Sequence, residues 1–87
     1  MYIVVKTCNY DVNETASVMF TDKKSAIIYM GNWWKETYDK ALSRNNGSLI
    51  DEVGCFLEDD NAQVRWKDNA KINFYVTKDS SPRREWL

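Results

Sequence analysis

Residues 22–44 read D-K-K-S-A-I-I-Y-M-G-N-W-W-K-E-T-Y-D-K-A-L-S-R. Apolar positions fall at Ile27, Met30, Trp34, Tyr38 and Ala41, with Ala26, Trp33 and Leu42 widening the stripe, and gaps of three and four residues are those of an amphipathic helix. Lys23, Lys24, Lys35, Glu36, Asp39 and Lys40 take mostly the opposite side, Glu36 and Lys40 at the stabilising i,i+4 spacing. Thr21 or Asp22 supplies a short oxygen-bearing side chain for the free N–H groups of the first turn. Asn45-Asn46-Gly47 tolerates the left-handed backbone that closes a helix end. Gly31 costs about 1 kcal/mol relative to Ala inside a helix, so a break or a close helix-to-sheet contact there is the competing expectation. The stripe keeps its phase across the glycine, which favours one continuous helix.

On either side of this helix the period changes to two. Tyr2 to Thr7 is a short β-branched run that reads as a central strand buried on both faces. Turn chemistry at Asn9 to Asn13 leads into Glu14 to Phe20, where Ala16, Val18 and Phe20 share one side, so an opening hairpin is expected. Beyond Ser48, Val53, Cys55 and Leu57 share one side of a strand, Ala62, Val64 and Trp66 one side of the next, and Ile72, Phe74 and Val76 one side of a third. Opposed residues of an antiparallel pair point to the same face, which allows registers to be tested by parity. Pairing Leu57 with Ala62 places Cys55 beside Val64 and Val53 beside Trp66. A three-residue loop from Asp68 to Ala70 then pairs Trp66 with Ile72 and Val64 with Phe74.

The order β-β-α-β-β-β predicts an α+β domain: an antiparallel sheet of about five strands with one long helix across one face. Residues 1–79 form this single compact domain, and 80–87, beginning Ser80-Ser81-Pro82, form a short tail. The whole chain of 87 residues is too short for two cores. Its hydrophobic content of 44% with three Gly and one Pro is that of a folded globular protein.

Composition removes several function classes. The net charge of −1 excludes a histone-like polycation and a wholesale DNA mimic. The chain contains no His, and no phosphate-cradling glycine loop or nucleophile motif is present, so neither an enzyme nor a cofactor site is expected. The acidic residues lack the alternating spacing of a calcium loop, and no metal site is expected. Cys8 and Cys55 read as reduced, packed cysteines. With neither a signal peptide nor an apolar run of membrane-spanning length, the expected location is the cytoplasm.

What remains are binding surfaces. Asp51, Glu52, Glu58, Asp59 and Asp60 occur with no base between residues 48 and 61, and they suit a partner rich in Lys and Arg. The four Trp, five Tyr and three Phe exceed what so small a core requires. Adjacent indoles at Trp33 and Trp34 point about 100° apart on a helix, so only one, Trp34, is expected at the stripe's centre. Trp33, Phe56 and Trp86 are therefore expected as partner anchors. A second expectation is single-stranded nucleic-acid binding through Arg65, Lys67, Lys71 and Tyr75 on the sheet face away from the helix. A third is an oligomerising protein, for instance a homodimer, that uses the open face or an edge strand.

In general character the chain resembles the small proteins of bacteriophages and mobile elements, the anti-CRISPR inhibitors among them: under a hundred residues, rich in aromatics, without catalytic apparatus, its charge in patches. That resemblance implies a non-enzymatic protein-binding module that inhibits a nucleic-acid-handling enzyme by sterically occupying its surface. It transfers no particular residue.

Overall fold

The computed structural model describes residues 1–78, apart from the side chains of Asn45 and Asn46; the expected tail, Trp86 included, lies outside the described residues. The chain runs β1 (Tyr2–Cys8), β2 (Ala16–Phe20), α1 (Lys23–Ser43), β3 (Phe56–Leu57), β4 (Asn61–Arg65) and β5 (Lys71–Lys78). The strands form one antiparallel sheet in the order β2-β1-β5-β4-β3, and α1 crosses one face of it, which is the expected α+β architecture.

α1 begins at an Asp22 cap whose Oδ1 accepts the Ser25 N–H at 2.8 Å. It runs unbroken through Gly31, where an added Cβ would have no neighbour within 4 Å, so the glycine serves no close approach to the sheet. Ala26, Met30 and Ala41 are buried at the centre of its inner stripe, with the two indoles on the flanks. Trp33 lies 5.4 Å from the Phe74 ring, while Trp34 stacks on Tyr38 at 5.0 Å and donates its Nε1–H to the Gln63 carbonyl at 2.9 Å. Opposite the helix, β1, β4 and β5 supply Val4, Cys8, Ala62, Ile72 and Phe74. A second cluster of Ala41, Ile50 and Val64 continues this core, and Trp34 and Trp66 pack against both.

Three expectations need correction. β1 is central, yet α1 covers only one of its faces; Ile3 and Val5 are half-buried on the other because, among the described residues, no element packs there. The β4–β5 register is shifted by two residues: Val64 faces Ile72 and Ala62 faces Phe74. The loop is Lys67 to Asn69, closed by Trp66 N–H to the Ala70 carbonyl at 2.8 Å and Asn69 N–H to the Trp66 carbonyl at 3.0 Å. Asn69 takes the left-handed conformation, φ 72°, that such three-residue hairpin loops demand, and Asn tolerates it. A shift of two preserves parity, so side chains within the two strands keep their expected faces, while Lys67, expected on the open face, falls in the loop.

The third correction lies before β3. The strand expected to carry Val53, Cys55 and Leu57 is only Phe56–Leu57, and Glu52–Gly54 is a 3-10 turn. Along β4 the ladder runs from Asp51 N–H on the Arg65 carbonyl, 2.9 Å, directly to the Phe56–Gln63 pair, so residues 52–55 loop outward. Leu57 does face Ala62 as expected, but Ile50, and neither Val53 nor Cys55, provides the partner for Trp66.

Candidate docking edge

The bulge at 52–55 is stapled to β4 by its own side chains. The Gln63 side-chain amide donates to the Gly54 carbonyl at 2.6 Å, and Cys55 Sγ accepts the Arg65 N–H at 3.3 Å while lying 3.4 Å from the Asp51 carbonyl it donates to. The thiol stands in for the missing strand pairing. Burial pushes its pKa up, which keeps it protonated and able to donate, and is the reverse of what an activated nucleophile needs. Gly54 lets this happen: a Cβ there would lie 2.5 Å from Arg65 Cδ. Arg65 in turn reaches Asp51 at 3.5 Å through Nε and donates to Asn69 Oδ1 at 2.9 Å.

Looping out turns Val53 toward water, 96% exposed, and on the edge strand that follows Leu57 is 47% and Phe56 39% exposed. Acidic groups flank them in sequence, Glu52 on one side and Glu58, Asp59 and Asp60 on the other, all exposed. Among the described residues none of these four carboxylates forms an ion pair, whereas Asp51 is occupied by Arg65. Asp60 accepts from Asn61 Nδ2 at 2.9 Å, and its carbonyl receives the Val76 N–H at 2.8 Å, which ties the acidic tip to β5. Burial, and after it the Glu52 charge, raise the pKa of Tyr38, whose ring stacks on Trp34.

Of the residues expected to meet a partner, the fold thus gathers Asp51, Glu52, Phe56, Glu58, Asp59 and Asp60 along one edge. Trp33 stands apart, half-buried, with Tyr29 at 5.5 Å and the Lys6 ammonium 5.7 Å above its ring. Trp86 lies outside the described residues. Val53 and Leu57, which alternation assigned to the core, are additions to the edge. The signal for them was Asp51-Glu52-Val53-Gly54, a turn-forming set that a count of alternating apolar positions passes over.

Of the expected nucleic-acid residues, Lys71 and Tyr75 share the open face with Arg65. Arg65 is already bound to Asp51 and Asn69, and Lys67 belongs to the hairpin loop. The face is also less polar than expected, since Ile3, Val5 and an exposed Met19 continue it across β1 and β2.

One concave feature escaped the sequence. A cleft of about 440 Å³ opens between α1 and the β1–β2 connection, walled by Trp33, Trp66 and Tyr10 and rimmed by charge. Lys6 meets Glu14 at 3.3 Å and Lys40 meets Glu36 at 3.5 Å, so the rim largely neutralises itself. The Tyr10 ring, 54% exposed, meets Trp66 edge-on at 5.8 Å, and partial burial, followed by the neighbouring Cys8 side chain, pushes its pKa up to about 12. No group of three or more His, Cys, Asp or Glu among the described residues is placed to hold a metal ion, and no helix there is long and apolar enough to cross a membrane.

No protein-family model matches the sequence, and no curated protein or solved structure matches it either.

Proposed function

We propose that the protein is a non-enzymatic binding module whose β3 edge docks on a protein surface that is apolar at its centre and ringed by Lys and Arg. The observation that carries this reading is the grouping of the exposed Val53, Phe56 and Leu57 on one sheet edge with four carboxylates that form no ion pair among the described residues. Exposed apolar groups supply the buried centre of an interface, while surrounding charge supplies orientation and encounter rate. A basic groove that an enzyme keeps for phosphates fits both demands, and occupying it inhibits by exclusion. The bound state of Arg65 and the place of Lys67 in the loop weigh against direct nucleic-acid binding.

The test is affinity capture with wild type and two variants, Asp59→Lys/Asp60→Lys and Val53→Asp/Leu57→Asp, each checked by circular dichroism. Retention of a specific partner is expected to fall at least about tenfold in each variant, to weaken with salt for wild type, and to be competed by an oligonucleotide. Retention that ignores all three changes sinks the proposal. A fluorescent oligonucleotide that itself binds the purified protein with a steep salt slope replaces it with the nucleic-acid reading.

A further inference from the structure

The two edges of the sheet are guarded differently. β3 is two residues long, follows a bulge and is flanked by acids, all devices that keep a strand edge from pairing with another chain. β2, at the other edge, is five residues long and uncharged, and the acids at its ends, Glu14 and Asp22, are held by Lys6 and Ser25. From Thr15 to Thr21 the sequence T-A-S-V-M-F-T contains neither charge nor proline, and Met19 is 54% exposed. Among the described residues no strand pairs with the outer side of β2.

The hydrogen-bond phase identifies which of its backbone groups are free. Asn9 N–H bonds the Lys71 carbonyl at 3.1 Å, which makes Asn9 and Lys71 a bonded antiparallel pair. Bonded pairs recur at every second residue, so Thr7, Val5 and Ile3 direct their backbone groups to β5. Lys6, Val4 and Tyr2 direct theirs to β2, onto Ala16, Val18 and Phe20. Ser17 and Met19 are left with N–H and C=O pointing away from the sheet.

We propose that a second copy of this chain covers this edge, β2 pairing antiparallel with β2 about a two-fold axis at Val18. In that register Ser17 of each copy bonds reciprocally with Met19 of the other, so the outward backbone groups satisfy one another by symmetry. Side chains complement as well. Met19 stands opposite Ser17 on the open face and Phe20 opposite Ala16 on the helical face, large against small on both sides of the sheet. The half-exposed Tyr29, 5.1 Å from Phe20, flanks the seam on the helical side. Glu14 and Asp22 fall opposite each other at its ends, but Glu14 is held by Lys6 and Asp22 by Ser25. The joined sheet is continuous across both copies and leaves the β3 edges at its two far ends. This pairing is independent of what β3 binds.

Sedimentation velocity from low micromolar to near-millimolar protein tests it, with amide exchange followed residue by residue. The mass is expected to rise from the 10.2 kDa monomer toward twice that value, and the Ser17 and Met19 amides to slow with concentration while Val18 and Phe20 are protected throughout. Ser17→Lys/Met19→Lys, which gathers four ammonium groups at the seam, is expected to weaken association at least about tenfold with an unchanged circular dichroism spectrum. Should the double variant not fold, Met19→Lys alone, at an exposed position, serves the same purpose. A protein that stays monomeric, a dimer indifferent to these lysines, or Ser17 and Met19 amides protected equally at all concentrations overturns the proposal.

Discussion

At Gly31 an added Cβ would meet nothing within 4 Å, whereas at Gly54 it would lie 2.5 Å from Cδ and 3.1 Å from Cβ of Arg65. The same side chain is therefore absent for opposite reasons. Gly31→Ala removes only the conformational freedom that a helical glycine loses on folding, and is expected to raise stability by about 0.5–1 kcal/mol in urea denaturation. Gly54→Ala forces Arg65 aside at a point close to its own backbone, where rotation gives little relief, and strains the bulge that Gln63 and Cys55 hold. A loss of about 1–3 kcal/mol is expected, as for other overpacked contacts. Equal stability of Gly54→Ala and wild type would show that the bulge does not depend on this approach. The cost of Gly31 is readable from the helical stripe around it. The need for Gly54 is not, because the atom that excludes a methyl group belongs to another strand.

Among the elements, α1 was the most legible, since its stripe, cap and end signals lie within one stretch of chain. Its start rests on Asp22, whose carboxylate accepts the Ser25 N–H at 2.8 Å and the Ser25 hydroxyl at 2.9 Å. The first of these bonds, helped by the second, lowers the Asp22 pKa below the ordinary carboxylate range. Because the folded value is the lower one, the cap's contribution is fully present above the unfolded value of about 3.9 and is lost as pH falls through the folded value. Urea midpoints followed at 222 nm between about pH 5 and about pH 2 should therefore fall less in Asp22→Asn, which keeps an acceptor without a titrating charge, than in wild type. Parallel curves would mean that the charge of the cap is not what titrates. The β4–β5 hairpin was legible in part. Alternation assigned each residue within the two strands to the correct face, but the register rests on the left-handed Asn69, and parity alone does not distinguish registers two residues apart.

At the scale of the whole molecule, one residue carries much of the core. Phe74 is fully buried between α1 and the sheet, 5.4 Å from Trp33, and belongs to the larger of the two linked clusters. Phe74→Ala removes about 3–5 kcal/mol, which approaches the entire stability of a small domain at about 5–10 kcal/mol. Its thermal transition is expected to fall far below that of wild type, with much of the protein unfolded at 37 °C. Trp34→Phe keeps a ring against Tyr38 but leaves the Gln63 carbonyl without its indole donor, and should cost only about 1–2 kcal/mol. If the two variants melt together, the core is not organised around Phe74.

Element order, the face each strand residue takes and the limits of the helix follow from side chains a few positions apart, because the periods of 2 and 3.6 are properties of the local backbone. The acids of the β3 edge were visible for the same reason, as neighbours in sequence. Which strands lie at the edges, which backbone groups of β2 stay free and why Val53 faces water depend on residues brought together from distant parts of the chain. Among the described residues the order β2-β1-β5-β4-β3 leaves one edge blunted and one open. Only the folded sheet contains that distinction, since an edge is defined by the strand that does not lie beside it.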